Sequence, residues 1–189
     1  MNRQNIMTIL GKIVRSTLLA WIAIFVFAAF STAEPMAVLE GPPTRLAIPT
    51  IALDTSVAPV GIRLFEINGQ PYGTWNVRDD EVGWHNLSAN LGHTGNTVLS
   101  GHSDIKAKVF QRLSQVEVGD EIVAFTNDQP HYYVVIEKTL VQEKGVPLET
   151  RIKNAQLIAP TQDERLTLVT CANAGATHRL IVIAQPKDG

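Results

Sequence analysis

Cysteine is almost absent from this chain: among 189 residues only Cys171 carries a thiol. No intramolecular disulfide can form, so the redox compartment must be read from other features. An excess of positive charge is also missing. The formal net charge is −2, aromatics make up 6% of the residues, and no basic stripe with interleaved aromatics occurs. That composition argues against nucleic acid as a partner. Lys106 and Lys108 read as solvated charges on a turn or helix face. There is no internal repeat and no low-complexity tract, and the length suits one domain beyond any targeting segment.

What is present begins with a gap in charge. Ser16–Ala33 is a run of 18 uncharged residues rich in Leu, Ile, Val, Phe and Ala. As a helix it would span about 27 Å at about 1.5 Å per residue, close to the thickness of a hydrocarbon core. Arg3, Lys12 and Arg15 precede it without any acid, and the first charge after it is Glu34. The positive-inside rule then keeps the N-terminus cytoplasmic and places the rest outside. The expected organisation is a cytoplasmic segment 1–15, a transmembrane anchor 16–33, a linker 34–43 and a domain 44–189. Ser31-Thr32-Ala33 resembles a signal-peptidase site, so the segment also reads as a cleavable signal peptide. Either reading exports the domain.

Pro35, Gly41, Pro42 and Pro43 mark the linker. Beyond it the pattern is mainly short strands with turn punctuation: 45–48, 55–60, 96–100, 120–126, 132–141, 165–171 and 179–185. Val109, Phe110 and Leu113 fall at helical spacing and predict a short helix over 108–116. Residues 152–160 read as a loop or weak helix. Short strands and little helix point to a mainly β fold, a small barrel without open edges.

Cys171 closes the apolar run Leu166-Thr167-Leu168-Val169-Thr170, and Arg179 opens Leu180-Ile181-Val182-Ile183 eight residues later. His102 ends a third run, Asn96-Thr97-Val98-Leu99-Ser100-Gly101. A thiol, a cation and an imidazole at strand ends fit thiol catalysis, since a nucleophilic cysteine needs neighbours that favour the thiolate. A lone cysteine at a strand end is otherwise a small buried hydrophobe. Of the other histidines, His131 follows Pro130 in a polar turn and reads as exposed, and His178 faces opposite Arg179 if both lie in one strand. His93 also sits in a Gly-bounded loop, and is the rival to His102 or a substrate-side contributor. Ser100, Ser103 and Asp104 flank His102, and Asp104 is a candidate to orient its ring. Thr170 either shapes an oxyanion site or is a plain strand threonine.

Thr167-Leu168-Val169-Thr170-Cys171 with Arg179, together with Leu99-Ser100-Gly101-His102, resembles the sortases, bacterial cell-envelope cysteine transpeptidases. Val109-Phe110-Gln111-Arg112-Leu113 and Val118-Gly119-Asp120 extend the likeness, which covers roughly 44–185. The resemblance implies a closed eight-stranded barrel with one or two short helices, behind an N-terminal membrane helix. It implies Cys171 as nucleophile, His102 as acid–base and Arg179 at the oxyanion; beside these, Thr170, Ser100 and His93 read as substrate-side residues from their positions. Secreted proteins with an LPXTG-like C-terminal sorting signal are the implied partners, and an amine on cell-wall precursor or protein is the acceptor. No cofactor or metal is implied. The linker lacks the Asp-Pro-aromatic lid of many pilin-polymerising members, which leans towards anchoring proteins to the wall or a general housekeeping role, and the short loop 172–178 offers less material for substrate selection than that of longer-looped members. Two other readings stay open: an exported cysteine peptidase that uses water as acceptor, and a non-catalytic β-barrel binding module. The serine-histidine-glycine-cysteine block of an L,D-transpeptidase is absent.

Overall fold

The structure, a computed structural model, describes residues 41–67, 69–172 and 177–187. The expected anchor 16–33 lies outside the described residues. In chain order the described strands are β1 (Arg45–Ile48), β2 (Leu53–Val60), β3 (Ile62–Ile67), β4 (Gln70–Trp75), β5 (Val82–His85), β6 (Gly95–Gly101), β7 (Glu121–Thr126), β8 (Gln129–Gln142), β9 (Glu164–Ala172) and β10 (His178–Pro186). Eight of them close into a barrel in the order β1-β2-β5-β6-β9-β10-β8-β7. Closure comes from β1 pairing with β7, Arg45 opposite Phe125, so no barrel strand is left with an open edge. The expected eight-stranded barrel is therefore observed.

Alternation along each strand fills the interior. Leu166 and Leu168 of β9, Leu180, Val182 and Ala184 of β10, and Tyr133 and Val135 of β8 point into one buried cluster. Each large side chain so buried contributes about 1.5–3 kcal/mol relative to exposure. β6 is buried along its whole length, on both faces. Its inner face meets the core through Leu99. Its outer face is covered by the segment after helix α1 (Leu148–Ala155), where the Asn96 side-chain amide donates to the carbonyls of Leu157 and Ala159 at 3.3 and 3.2 Å. Two-sided burial explains why β6 reads as a continuous run of apolar and small residues.

Several expectations change. The 108–116 segment is a chain of tight turns ending in one 3-10 turn, Leu113–Gln115, and Lys108, at φ 54°, lies outside the right-handed helical region. Its apolar spacing still marks burial, since Phe110, Leu113 and Val116 are all in the core. The expected loop or weak helix over 152–160 is in part a helix that starts earlier, at Leu148 after Pro147, with Glu149 in its first turn and Lys153 in its last. His131, expected to be exposed, is buried, because β8 begins at Gln129 and turns it to the same face as Tyr133 and Val135. Strands β3 and β4 form a separate hairpin with a two-residue connection, Ile67 pairing with Gln70, and Gly69 takes φ 74° there.

Candidate active site

The site is built by register. β9 lies between β6 and β10, parallel to the first and antiparallel to the second. Cys171 stands directly opposite Arg179, and Gly101 stands opposite Thr170. One further residue along the parallel pair brings His102 alongside Cys171. Cys171 and Arg179 have the opposite parity to the core residues Leu168 and Leu180, so both face outward. Directly opposed residues hold their Cβ atoms about 4.5–5.5 Å apart. His102, Cys171 and Arg179 thus form a row on the outer wall of the barrel, and all three are half-buried.

They line a cleft of about 450 Å³. Trp75 and Arg63 of the hairpin contribute one wall, and Arg151 and Asn154 of α1 another. Backbone anchors fix the row. The Ser103 hydroxyl donates to the Cys171 carbonyl at 2.5 Å, which ties the loop after β6 to the end of β9. The His102 carbonyl accepts from the Phe110 N–H at 2.9 Å. Gly101 allows that approach, since a Cβ there would lie 2.8 Å from side-chain carbons of both Val109 and Phe110. On Arg179, Nη1 donates to the His178 carbonyl at 3.1 Å, which folds part of the guanidinium back on its own strand.

The residues singled out by sequence divide clearly. His102, Cys171, Arg179, Ser100 and Thr170 all border the cleft. The Thr170 hydroxyl donates to the Gly101 carbonyl at 2.8 Å, buried between β6 and β9, and so holds the strand ends together. Asp104 is exposed, as is His93. His93 precedes β6 whereas His102 follows it, so the seven residues of β6 at about 3.3 Å each put the two histidines roughly 23 Å apart. The structure does not bring His93 to the cleft.

Sequence reasoning passed over His85 and Trp75. His85 ends β5 on the cleft floor, 3% exposed, with Nε2 3.0 Å from the Ser100 hydroxyl. Trp75 stacks on its ring with centroids 3.8 Å apart. Burial pushes the His85 imidazole down to about 4, so it is neutral at physiological pH. The signal for the hairpin was Asn68-Gly69 between two alternating runs; β5 is four residues long with a glycine inside it, and gives almost none.

Known proteins share this fold. A sortase A lid mutant from Corynebacterium diphtheriae superposes with a TM-score of 0.60 at 22% identity, covering 82% of this chain and 75% of that one. The sortase D5 transpeptidase of Clostridium perfringens gives 0.59 at 23% identity, with 80% and 82% covered. Sortase C1 from Streptococcus agalactiae gives 0.57 at 20% identity, with 85% and 72% covered. At these identities the likeness establishes the fold. No curated protein matches the chain. The Sortase domain family matches residues 46–187, most of the chain, and with Cys171, His102 and Arg179 aligned at three adjacent strand ends, the chain belongs to the sortase family.

Proposed function

We propose that this protein is a membrane-anchored cysteine transpeptidase that cleaves LPXTG-like C-terminal sorting signals and passes the acyl group to an amine. The observation that carries this is the register: Gly101 opposite Thr170 and Cys171 opposite Arg179 align His102, Cys171 and Arg179 in one cleft. In the first half-reaction the Cys171 thiolate attacks the scissile carbonyl carbon, and the tetrahedral oxyanion takes hydrogen bonds from Arg179. The C–N bond then breaks, the amine leaves with a proton from the His102 imidazolium, and a thioester remains on Cys171. In the second half-reaction the incoming amine gives a proton to His102, attacks the thioester and expels the thiolate. Three arginines, Arg63, Arg151 and Arg179, against one acid, Glu143, give the cleft a positive lining for the developing oxyanion.

The acceptor is an amine on cell-wall precursor or on another protein, and the charge asymmetry around 16–33 supports a single N-terminal span with the domain outside. Incubation of the full chain with a sorting-signal peptide, with and without an added amine, tests the reading by mass spectrometry. The expected result is a thioacyl adduct on Cys171 and an amine-linked product, both lost in Cys171→Ala. Hydrolysed peptide alone, at all amine concentrations, would assign the protein to the peptidases instead. Protease protection of the domain in intact protoplasts would overturn the topology.

A further inference from the structure

The cleft floor contains a second row. Ser100 stands opposite Val169, and Val169 opposite Ile181, each two residues before or after a member of the reacting row. At about 3.3 Å per residue the two rows are roughly 7 Å apart, about two residues of an extended peptide. Val169 and Ile181 make one end of this second row apolar. The other end is the His85–Ser100 pair, buried at 3% and 6% exposure and capped by Trp75.

Proton counting shows what this pair offers. A neutral imidazole has one N–H, and serine has one O–H. If Ser100 donates to Nε2, the ring proton sits on Nδ1 and remains available. If Nε2 donates to Ser100, the hydroxyl proton remains available. In either tautomer one donor is used between the two residues and one is left over. A polar pair placed on an otherwise apolar floor has a use there, since a peptide carbonyl desolvated without a donor is costly. Burial of His85 keeps the ring from protonating, which preserves this count near neutral pH.

We propose that His85 and Ser100 form a specificity subsite that donates one hydrogen bond to a substrate backbone carbonyl about two residues before the scissile bond. The proposal rests on the transpeptidase reading above, and Trp75 acts in it as a positioning residue that holds the ring flat against the floor.

The test uses the full chain in detergent with a Leu-Pro-Ala-Thr-Gly peptide carrying flanking residues. A thioacyl adduct on wild-type Cys171 is required first; without one, the functional reading itself falls. Given the adduct, His85→Phe/Ser100→Ala removes both donors while keeping an aromatic ring under Trp75. KM should rise about tenfold with kcat changed less than about threefold, and either single variant should lose less because one donor remains. Cys171 alkylation by iodoacetamide at the wild-type rate shows that the double variant is folded. An unchanged kcat/KM in that folded variant would overturn the subsite while leaving the transpeptidase intact. A second measurement leaves the pair untouched: in Cys171→Ala protein with labelled histidine, saturating peptide should shift the His85 ring nitrogen resonances. Resonances that stay in place under saturating peptide would refute the proposal even if the double variant did not fold.

Discussion

The two ends of β6 look alike in sequence and do opposite things. Before the strand stands His93 in Leu91-Gly92-His93-Thr94-Gly95, and after it His102 in Ser100-Gly101-His102-Ser103, each a histidine beside glycine at a strand boundary. β9 runs parallel to β6 and brings a different partner to each end: Glu164 opposite Gly95, and Thr170, followed by Cys171, opposite Gly101. At the first end Glu164 accepts from the Tyr133 hydroxyl at 2.7 Å and from the Gly92 N–H at 3.2 Å. The Gly41–Leu91 bridge fastens the chain there too, and Gly95 takes φ 126°, where a Cβ would come within 2.9 Å of Ala89. Its polar groups are bound to one another and close the barrel. At the other end the bonds run through backbone carbonyls, and the side chains of His102 and Cys171 border a cleft. Local motif does not separate the two histidines; the partner strand does.

With the thiol left in place, a large effect at the cleft end is expected from Arg179. Arg179→Lys should lose about 100-fold or more in kcat, nearly as much as Arg179→Ala, because a point charge cannot replace a forked donor. Steady-state kinetics on a sorting-signal peptide check this, and near-wild-type turnover in Arg179→Lys would reduce the residue to a general positive field. The next effect is on stability in acid. The folded His85 imidazole titrates near 4 against 6.5 unfolded, so between those values the unfolded state binds more protons. The contribution is complete above about 6.5 and falls as pH drops through the window, and the loss reaches about 3 kcal/mol by pH 4. Urea unfolding at pH 7 and pH 4 should show the wild type losing more than His85→Phe by that order. Equal losses would mean that the ring protonates in place. The smallest of the three belongs to the closing end. Tyr133→Phe removes the bond to Glu164 and should cost about 1–3 kcal/mol by urea unfolding, with kcat unchanged in the folded protein. A large fall in kcat would tie the two ends together and break the contrast.

The difference between the ends also explains what the sequence made legible. β8 stands out by alternation over His131–Ile136, where one face is buried, and β10 by the continuous apolar run Leu180–Ala184, buried on both faces. The Cys171–Arg179 pairing is readable because a short loop between two strands makes them antiparallel neighbours. The closed barrel, with the parallel pairs β2–β5 and β6–β9, depends on contacts far apart in sequence. So does the placement of His93, whose separation from Cys171 follows from the direction in which β6 runs beside β9. His85 is hidden for a similar reason: it becomes part of the cleft only when β4 brings Trp75 over it.

The central claim, that strand register rather than local motif selects the working histidine, is tested most directly by His102→Ala and His93→Ala assayed side by side. Turnover of a sorting-signal peptide should fall about 100-fold or more in His102→Ala, the scale of general acid–base catalysis, and stay within about twofold of wild type in His93→Ala. Full activity in His102→Ala with collapse in His93→Ala would contradict the account.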